Sequence, residues 1–152
     1  MLFIGADHAG FKLKEFIKKY LVKEGISFAD VGALKEVPDD DYPDFALKLS
    51  KAVAGNKGSR GILICGTGVG MCIAANKVNG IRAANVYDQY TAKFSRLHND
   101  ANVMCLRGWE VDFKRSVELL KIWLNTKFDG DKRLVRRISK IKKIENTRAF
   151  FA

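Results

Sequence analysis

The sequence predicts an α/β protein in which helices cover both faces of a parallel sheet, a three-layer α/β/α architecture. Five short apolar segments, each of a length that suits a buried strand, alternate with segments whose apolar residues recur at helical spacing. The 152 residues suit one hydrophobic core and no linker-like stretch divides them, so we expect a single domain over residues 1–152. Because strand–helix–strand crossovers are right-handed, the alternation favours an open, doubly wound, Rossmann-like sheet of five strands.

Each predicted strand is followed by a predicted helix. The strands are expected at Leu2–Ala6, Ile26–Val31, Gly61–Cys65, Ile81–Val86 and Asn102–Leu106. In four of the predicted helices, apolar residues recur at a spacing of three or four, which places them on one face of each helix. These residues are Leu13, Ile17 and Leu21; Ala46, Leu49 and Val53; Tyr90, Phe94 and Leu97; and Val117, Leu120 and Leu124. One further helix is expected directly after Gly70. Glycines close the first two of these helices, at Gly25 and Gly55, where glycine is typical of a helix end.

A sixth, basic helix is predicted at about residues 132–148, after Asp129-Gly130-Asp131. Apolar residues line one side of it, so we expect it to pack on this domain or across a partner subunit. Residues 127–148 hold nine Lys or Arg and three acidic residues, more than half of the net charge of +10. Such a segment suits a nucleic acid, an acidic partner or a phosphorylated small molecule. No aromatic residues interleave with the charges of the predicted helix at 132–148, so nucleic-acid binding is kept only as a remote alternative.

The cysteines and the N-terminus indicate a cellular setting. Cys65, Cys72 and Cys105 form no CxxC pair, so neither structural zinc nor a disulfide framework is expected, and Cys72 and Cys105 are predicted to lie in the core. The chain begins without a basic leader, and its apolar runs are too short to cross a bilayer. We therefore expect a cytoplasmic protein with no membrane partner.

Candidate catalytic groups lie where two predicted strands end. Asp7 and His8 follow the first strand, and Cys65 closes the third, so all three are expected at the carboxyl edge of the sheet, where such folds bind ligands. The glycine-rich loop 66–70 then opens a helix, and its amide groups could hold an anion. A thiol before a helix N-terminus is suited to act as a base or nucleophile. A dinucleotide site is disfavoured, because Met71 occupies the third glycine position of that motif.

The second histidine is expected at the opposite edge of the sheet. His98 ends the fourth predicted helix and precedes the fifth strand, whereas His8 follows a strand. If both serve one site, a second copy of the chain must supply His98, which predicts a homodimer with shared active sites. Arg133 and Arg137 are four residues apart on the last helix and could form a fork for a phosphate, although a solvated basic face is the simpler interpretation.

These segments together resemble the ribose/galactose isomerase family, and within it the ribose-5-phosphate isomerases of type B. The matching segments are Ala6-Asp7-His8-Ala9-Gly10, Asp41-Tyr42-Pro43, Ile64-Cys65-Gly66-Thr67-Gly68-Val69-Gly70, Ala74-Ala75-Asn76-Lys77, Gly80-Ile81-Arg82-Ala83 and His98-Asn99-Asp100-Ala101-Asn102. They span residues 6–102 in the family's order, and Arg133 with Arg137 extend the match into the basic helix. Each glycine motif is weak alone, but the combination is specific.

The resemblance implies interconversion of ribose 5-phosphate and ribulose 5-phosphate through an enediol, in the pentose phosphate pathway, without a metal or cofactor. Cys65 matches the base that moves the proton between C2 and C1, and Thr67 matches a hydroxyl that moves protons between the two oxygens. His98 matches the residue that opens the sugar ring, with Asp7 as its helper. The family supplies His98 and Asn99 across a dimer. The implied substrate-binding residues are His8, Tyr42, Gly66, Gly68, Val69, Gly70, Asn99, Arg133 and Arg137.

Two positions depart from the family pattern. Trp109 stands where an arginine is usual after the fifth strand, and Arg107 on the same strand face is a candidate replacement. Leu134 stands where the family has a histidine. The alternatives within the class are isomerases of galactose 6-phosphate or allose 6-phosphate, and the motif at 98–102 favours the pentose. A subunit without catalytic activity is disfavoured by the intact Cys65, and the sequence leaves open whether dimers pair into tetramers.

Overall fold

Five parallel strands form one sheet in the computed structural model, which describes residues 1–148. The strands are β1 (Leu2–Ala6), β2 (Phe28–Asp30), β3 (Arg60–Cys65), β4 (Ala83–Asn85) and β5 (Val103–Arg107). They lie side by side in the order β2-β1-β3-β5-β4, and every neighbouring pair is parallel. The predicted α/β class and the five-stranded parallel sheet are confirmed.

Helices cover both faces of this sheet. They are α1 (Phe11–Lys23), α2 (Tyr42–Gly55), α3 (Val69–Ala75), α4 (Gln89–Leu97), α5 (Phe113–Asn125) and α6 (Lys132–Arg148). Helices α1, α4 and α5 pack on one face around the fully buried Trp123, whereas α2 and α3 pack on the other face around Leu49 and Met71. None of the described helices combines the length and apolar character that a membrane crossing needs.

The two edge strands are shorter than the sequence predicts. Six residues were expected in each, but β2 and β4 pair over three residues only. Ile81 and Val86, at the two ends of the expected fourth strand, are buried and lie outside the three paired residues. The Val86 amide still donates to the Cys105 carbonyl of β5 at 2.9 Å, so the contact of this edge strand with the sheet continues one residue beyond the paired segment.

A close approach between α1 and β3 determines the path of the chain after β1. A Cβ atom at Gly10 would collide with the carbonyl oxygen of Ile64, so only glycine lets the start of α1 lie on the end of β3. This contact places Asp7 and His8, in the turn before α1, beside the last residues of β3. This packing brings the turn after β1 and the end of β3 together at one edge of the sheet.

Lys14 is a fully buried cation inside the first layer of helices. Its Nζ atom donates to Asp30 Oδ2 at 2.7 Å and to the Ala33 carbonyl at 2.5 Å, and its side chain has no exposed surface. Burial alone would raise the pKa of Asp30, but the hydrogen bonds from Lys14 and Lys18 hold that pKa below its ordinary value. The cluster ties β2 to α1.

Replacement of Lys14 by methionine should destabilise the fold by about 3 kcal/mol, because a buried carboxylate loses its most buried partner. Lys18→Met is the matched control, since Lys18 bonds the same Asp30 oxygen at 2.8 Å but is 25% exposed. We expect it to cost less than about 1 kcal/mol. Urea unfolding at one protein concentration measures both changes. Equal losses for the two variants would contradict a special contribution from the buried amine.

Candidate active site

The crevice lies between the neighbouring strands β1 and β3. From the ends of these two strands the chain continues toward opposite sides of the sheet. After β1 the chain passes through α1 to β2, and after β3 it passes through α3 toward the other side of the sheet. Ligands of open α/β sheets bind at such a switch point, at the carboxyl ends of the strands. The Asp7 amide donates to the Ile64 carbonyl at 3.3 Å, so the predicted groups Asp7, His8 and Cys65 do lie at this one edge.

The glycine-rich loop after β3 wraps the Cys65 thiol. Gly68 has a φ of 80°, and its amide donates to Cys65 Sγ at 3.2 Å. Cys65 is 5% exposed, while the neighbouring Thr67 side chain is exposed and its Oγ1 accepts from the Val69 amide at 3.3 Å. The loop therefore carries a thiol, a hydroxyl and the amides at the start of α3 within one short segment, and backbone amides of this kind can stabilise an oxyanion.

Two aromatic side chains form walls against this loop. A Cβ atom at Gly66 would lie 2.6 Å from the Trp109 indole, and one at Gly70 would lie 2.8 Å from the Tyr42 ring. The Trp109 amide also donates to the Gly66 carbonyl at 3.2 Å. These glycines are thus required by close packing. Trp109, the departure noted in the sequence, is a wall of the crevice.

Asp7 and His8 have different surroundings. Asp7 is 4% exposed, accepts from the Gly10 amide at 2.9 Å, and has a raised pKa because of its burial. His8 Nδ1 lies 2.6 Å from Asp40 Oδ1, and the His8 amide donates to the same oxygen at 2.9 Å. The hydrogen bond to Asp40 raises the pKa of His8, so the imidazole keeps its positive charge to a higher pH than usual.

Asp40 is the site residue that sequence reasoning missed. It belongs to a run of three carboxylates, Asp39 to Asp41. This acidic run was the only feature of the sequence that could have indicated a role for Asp40. Ligand atoms of Asp7, His8 and Asp40 all lie within 4.8 Å of one another, so this group could bind a cation. The short contact between His8 and Asp40 already uses two of those three atoms in a hydrogen bond, which favours an ion pair over a metal centre.

Arg107 reaches the same edge from the neighbouring strand. It stands opposite Cys65 in the β3–β5 ladder, is exposed, and donates to the Glu110 carbonyl at 2.8 Å. The structure therefore brings this candidate phosphate contact close to the glycine-rich loop.

His98 and Asn99 lie at the opposite edge, as expected from their place before β5. Both are exposed, and the His98 ring packs edge-on against Phe94 with centroids 4.7 Å apart. Arg82 holds their loop through Nε bonds to the Asn99 carbonyl at 3.0 Å and the Asp100 carbonyl at 3.1 Å. One chain does not bring these residues to Cys65.

Arg133 and Arg137 are also separate from the crevice in one chain. The Asp129 amide donates to the Leu97 carbonyl, which ties the start of α6 to the end of α4, and the Gly80 amide donates to Glu145 near the other end of α6. The apolar side of α6 is partly buried, whereas both arginines are exposed on its outer side. The helix thus presents its arginine pair away from its own core.

Fold and crevice together define an α/β protein with a site for a small anionic ligand at its switch point. A family model described as Ribose/Galactose Isomerase matches residues 2–141, and the chain belongs to this family. A structure of ribose-5-phosphate isomerase B from Clostridium thermocellum is 43% identical, with a TM-score of 0.92, covering 96% of this chain and 97% of that one.

Two further relatives bear on the ligand. A structure of ribose-5-phosphate isomerase B from Mycoplasma genitalium with bound ribulose-5-phosphate is 41% identical over 95% of each chain, with a TM-score of 0.89. A D-erythrulose-4-phosphate isomerase from Pectobacterium atrosepticum is 42% identical over 127 residues, which is 84% of each chain. Relatives of this similarity therefore include proteins named for a five-carbon and for a four-carbon sugar phosphate.

Proposed function

We propose that the protein is a ribose-5-phosphate isomerase, which interconverts ribose 5-phosphate and ribulose 5-phosphate in the pentose phosphate pathway. The observation that carries this proposal is the position of Cys65, whose thiol lies inside the glycine-rich loop at the same edge of the sheet as Asp7 and His8. The bound ribulose-5-phosphate of the Mycoplasma genitalium structure supports the same class of substrate.

The chemistry follows from the groups around Cys65. The Cys65 thiolate removes the proton from C2 of the open-chain aldose, and the electron pair moves through the C1–C2 bond to the carbonyl oxygen. Amide groups of the loop at Gly66, Gly68, Val69 and Gly70 stabilise the enediolate that results. Thr67 moves a proton between O2 and O1, and the Cys65 thiol returns a proton to C1. No electron acceptor is needed, because one carbon is oxidised as the other is reduced.

Binding and ring opening require two copies of the chain in this proposal. His8 and Arg107 bind the phosphate from one side, with Tyr42 along the wall. A second copy supplies Arg133 and Arg137 for the phosphate, and its His98 opens the ring with Asp7 as helper and Asn99 beside it. The separation of these groups within one chain supports a homodimer with shared sites.

A reducing, cytoplasmic location fits this function, and the three free cysteines support it. Nucleic-acid binding by α6 is not proposed, because Leu134 and Ile138 are buried and give this helix a packing role.

Replacement of Asp40 by asparagine should change the pH dependence of substrate binding. Asparagine can still accept the bond from His8 but removes the negative charge, so the pKa of His8 falls toward its ordinary value and the imidazole loses its positive charge at a lower pH. We expect KM for ribose 5-phosphate to begin its rise with pH at a lower pH in Asp40→Asn than in the native protein, with a largest difference of about fivefold and with the two KM values converging toward acid pH. The turnover number should change little.

The matched control is Asp39→Asn, which removes the charge of an exposed neighbour that does not bond to His8. Steady-state kinetics from pH 5.5 to 8.5 compare the three proteins. The role of Asp40 is wrong if both variants show the same KM profile, or if Asp40→Asn lowers kcat equally at every pH.

The proposed function is tested by isomerisation assays with four substrates: ribose 5-phosphate, allose 6-phosphate, galactose 6-phosphate and D-erythrulose 4-phosphate. We expect the highest kcat/KM with ribose 5-phosphate and no loss of rate when a chelator is added. A preference for a hexose or tetrose phosphate would keep the chemistry and reject the pentose assignment. Loss of activity with the chelator would reject the metal-independent mechanism.

A further inference from the structure

A second cavity lies at the edge of the sheet opposite to the crevice. It has a volume of about 510 Å³ and is bounded by the starts of β3 and β5, the loop after α4 and the end of α5. Its polar lining includes Arg60, Arg82, Arg96, Asp100, Asn125 and Lys127. Arg60 begins the strand that Cys65 ends, so the cavity and the glycine-rich loop are about 17 Å apart along β3. None of the residues assigned to the isomerase reaction lines this cavity, although Arg82, which does, also holds the loop of His98 and Asn99.

The cavity carries more positive charge than its acidic partner balances. Asp100 is the one carboxylate in its lining, and both oxygens are used: Oδ2 accepts from Arg82 and Oδ1 from Arg96, each at 2.8 Å. Among residues 1–145, whose side chains are described, Arg60 and Lys127 form no ion pair. Four cations therefore face one anion.

Capping of α5 accounts for part of this cluster but not for its charge. Arg60 Nη1 donates to the Leu124 carbonyl at 2.8 Å, and Arg96 Nε donates to the Thr126 carbonyl at 3.4 Å. Carbonyls at a helix C-terminus carry only a partial negative charge. They leave further N–H donors of both guanidinium groups for another acceptor, since each group has five.

The two arginines are held in place by a buried aromatic ring. The guanidinium carbons of Arg60 and Arg96 lie 5.5 Å and 5.7 Å from the centroid of Trp123, which is fully buried. Burial lowers the pKa of Arg60, and the neighbouring charge of Arg96 lowers it further. Two like charges fixed close together are stabilised by an anion that binds between them, and the site loses little side-chain entropy on binding.

We propose that this cavity is a second anion site, which binds the phosphate or diphosphate group of a small molecule between Arg60, Arg96 and Lys127. A planar guanidinium is well suited to a phosphate because it can donate two parallel hydrogen bonds. The volume is far larger than a phosphate ion and accommodates the rest of a phosphorylated metabolite. The residues that bind the anion in this proposal are not among those proposed to act in the isomerase reaction.

The test is calorimetric titration with inorganic pyrophosphate of the native protein and of three double variants. Arg60→Gln/Lys127→Gln removes two cations of the cavity. Lys48→Gln/Lys51→Gln removes two exposed lysines of α2 and matches the change in net charge. Arg133→Gln/Arg137→Gln weakens the proposed sugar-phosphate site. We expect affinity to fall at least tenfold in the first variant and to stay within twofold of the native value in the other two.

Three results would overturn the proposal. They are the absence of pyrophosphate binding to the native protein, an equal loss in the Lys48/Lys51 control, and a loss confined to the Arg133/Arg137 variant. If Arg60→Gln prevents folding, Lys127→Gln is tested alone, because Lys127 is exposed and its replacement should not affect folding. This single variant should still weaken pyrophosphate binding at least threefold. Isomerase activity of the cavity variants, measured in parallel, should be retained, which separates a failure here from a failure of the proposed function.

Discussion

Cys65→Ala should lower kcat for ribose 5-phosphate about 10³-fold and leave KM within about threefold of the native value. The thiol is the group that takes the C2 proton, and no other base lies inside the glycine-rich loop in this proposal. The phosphate contacts of His8 and the arginines are untouched by the change, so binding should persist. Initial rates of ketose formation over a range of substrate concentrations measure both parameters.

Cys72→Ala is the matched control for the loss of a thiol. Cys72 is half-buried in α3, and its Sγ lies 3.4 Å from the Ala83 carbonyl. Hydrogen bonding with Cys105 lowers the pKa of Cys72 to about 7, so Cys72 can ionise near neutral pH and is a demanding control. The Cys72→Ala variant should keep at least half of the native kcat. A large loss in Cys72→Ala with a small loss in Cys65→Ala would exchange the roles of the two cysteines.

Mixing two inactive variants should restore activity if active sites are shared between subunits. In a heterodimer of Cys65→Ala and His98→Ala, one site carries both substitutions and the other carries neither. After subunit exchange, half of the dimers are mixed, so we expect about one quarter of the native activity. Mild denaturation followed by dilution of the equimolar mixture, with each variant treated alone as control, measures this.

The complementation result distinguishes between two architectures. If Cys65 and His98 of the same chain formed one site, mixing would give only the mean of the two variants. That outcome would contradict the assignment of His98 to a second copy. The position of His98 before β5 and of Cys65 at the end of β3 makes the shared arrangement the expected one.

The central sheet was predictable because buried parallel strands read as continuous apolar runs. The predicted bounds of β1 are those observed, and those of β3 and β5 differ by one residue. The edge strands were overestimated for a physical reason. Ile26, Ile81 and Val86 are apolar and pack in or against the core, and packing leaves the same signature in a sequence as strand pairing.

The site residues that follow strands could be predicted from the topology of the sheet. The site residue in a long loop could not be predicted, because its position depends on the path of that loop. Asp7, His8 and Cys65 follow strands, and the carboxyl ends of parallel strands must meet at one edge. Asp40 could not be chosen from three consecutive carboxylates, because the turn of the loop decides which of them reaches His8.

The basic cavity was equally invisible in the sequence. Arg60, Arg96 and Lys127 come from three distant segments and meet only because β3 begins where α4 and α5 end. The excess of positive charge that the sequence does display, in residues 127–148, lies mostly on α6 and not around this cavity.

The central claim is that Cys65 transfers a proton between C2 and C1 of ribose 5-phosphate, and proton NMR of the reaction in D₂O tests it most directly. The proton that leaves C2 spends time on the Cys65 sulfur and can exchange with solvent. We therefore predict that the ribulose 5-phosphate formed carries deuterium at C1, that residual ribose 5-phosphate gains deuterium at C2, and that Cys65→Ala does neither. Deuterium incorporation into either sugar at a rate that Cys65→Ala leaves undiminished would contradict this account.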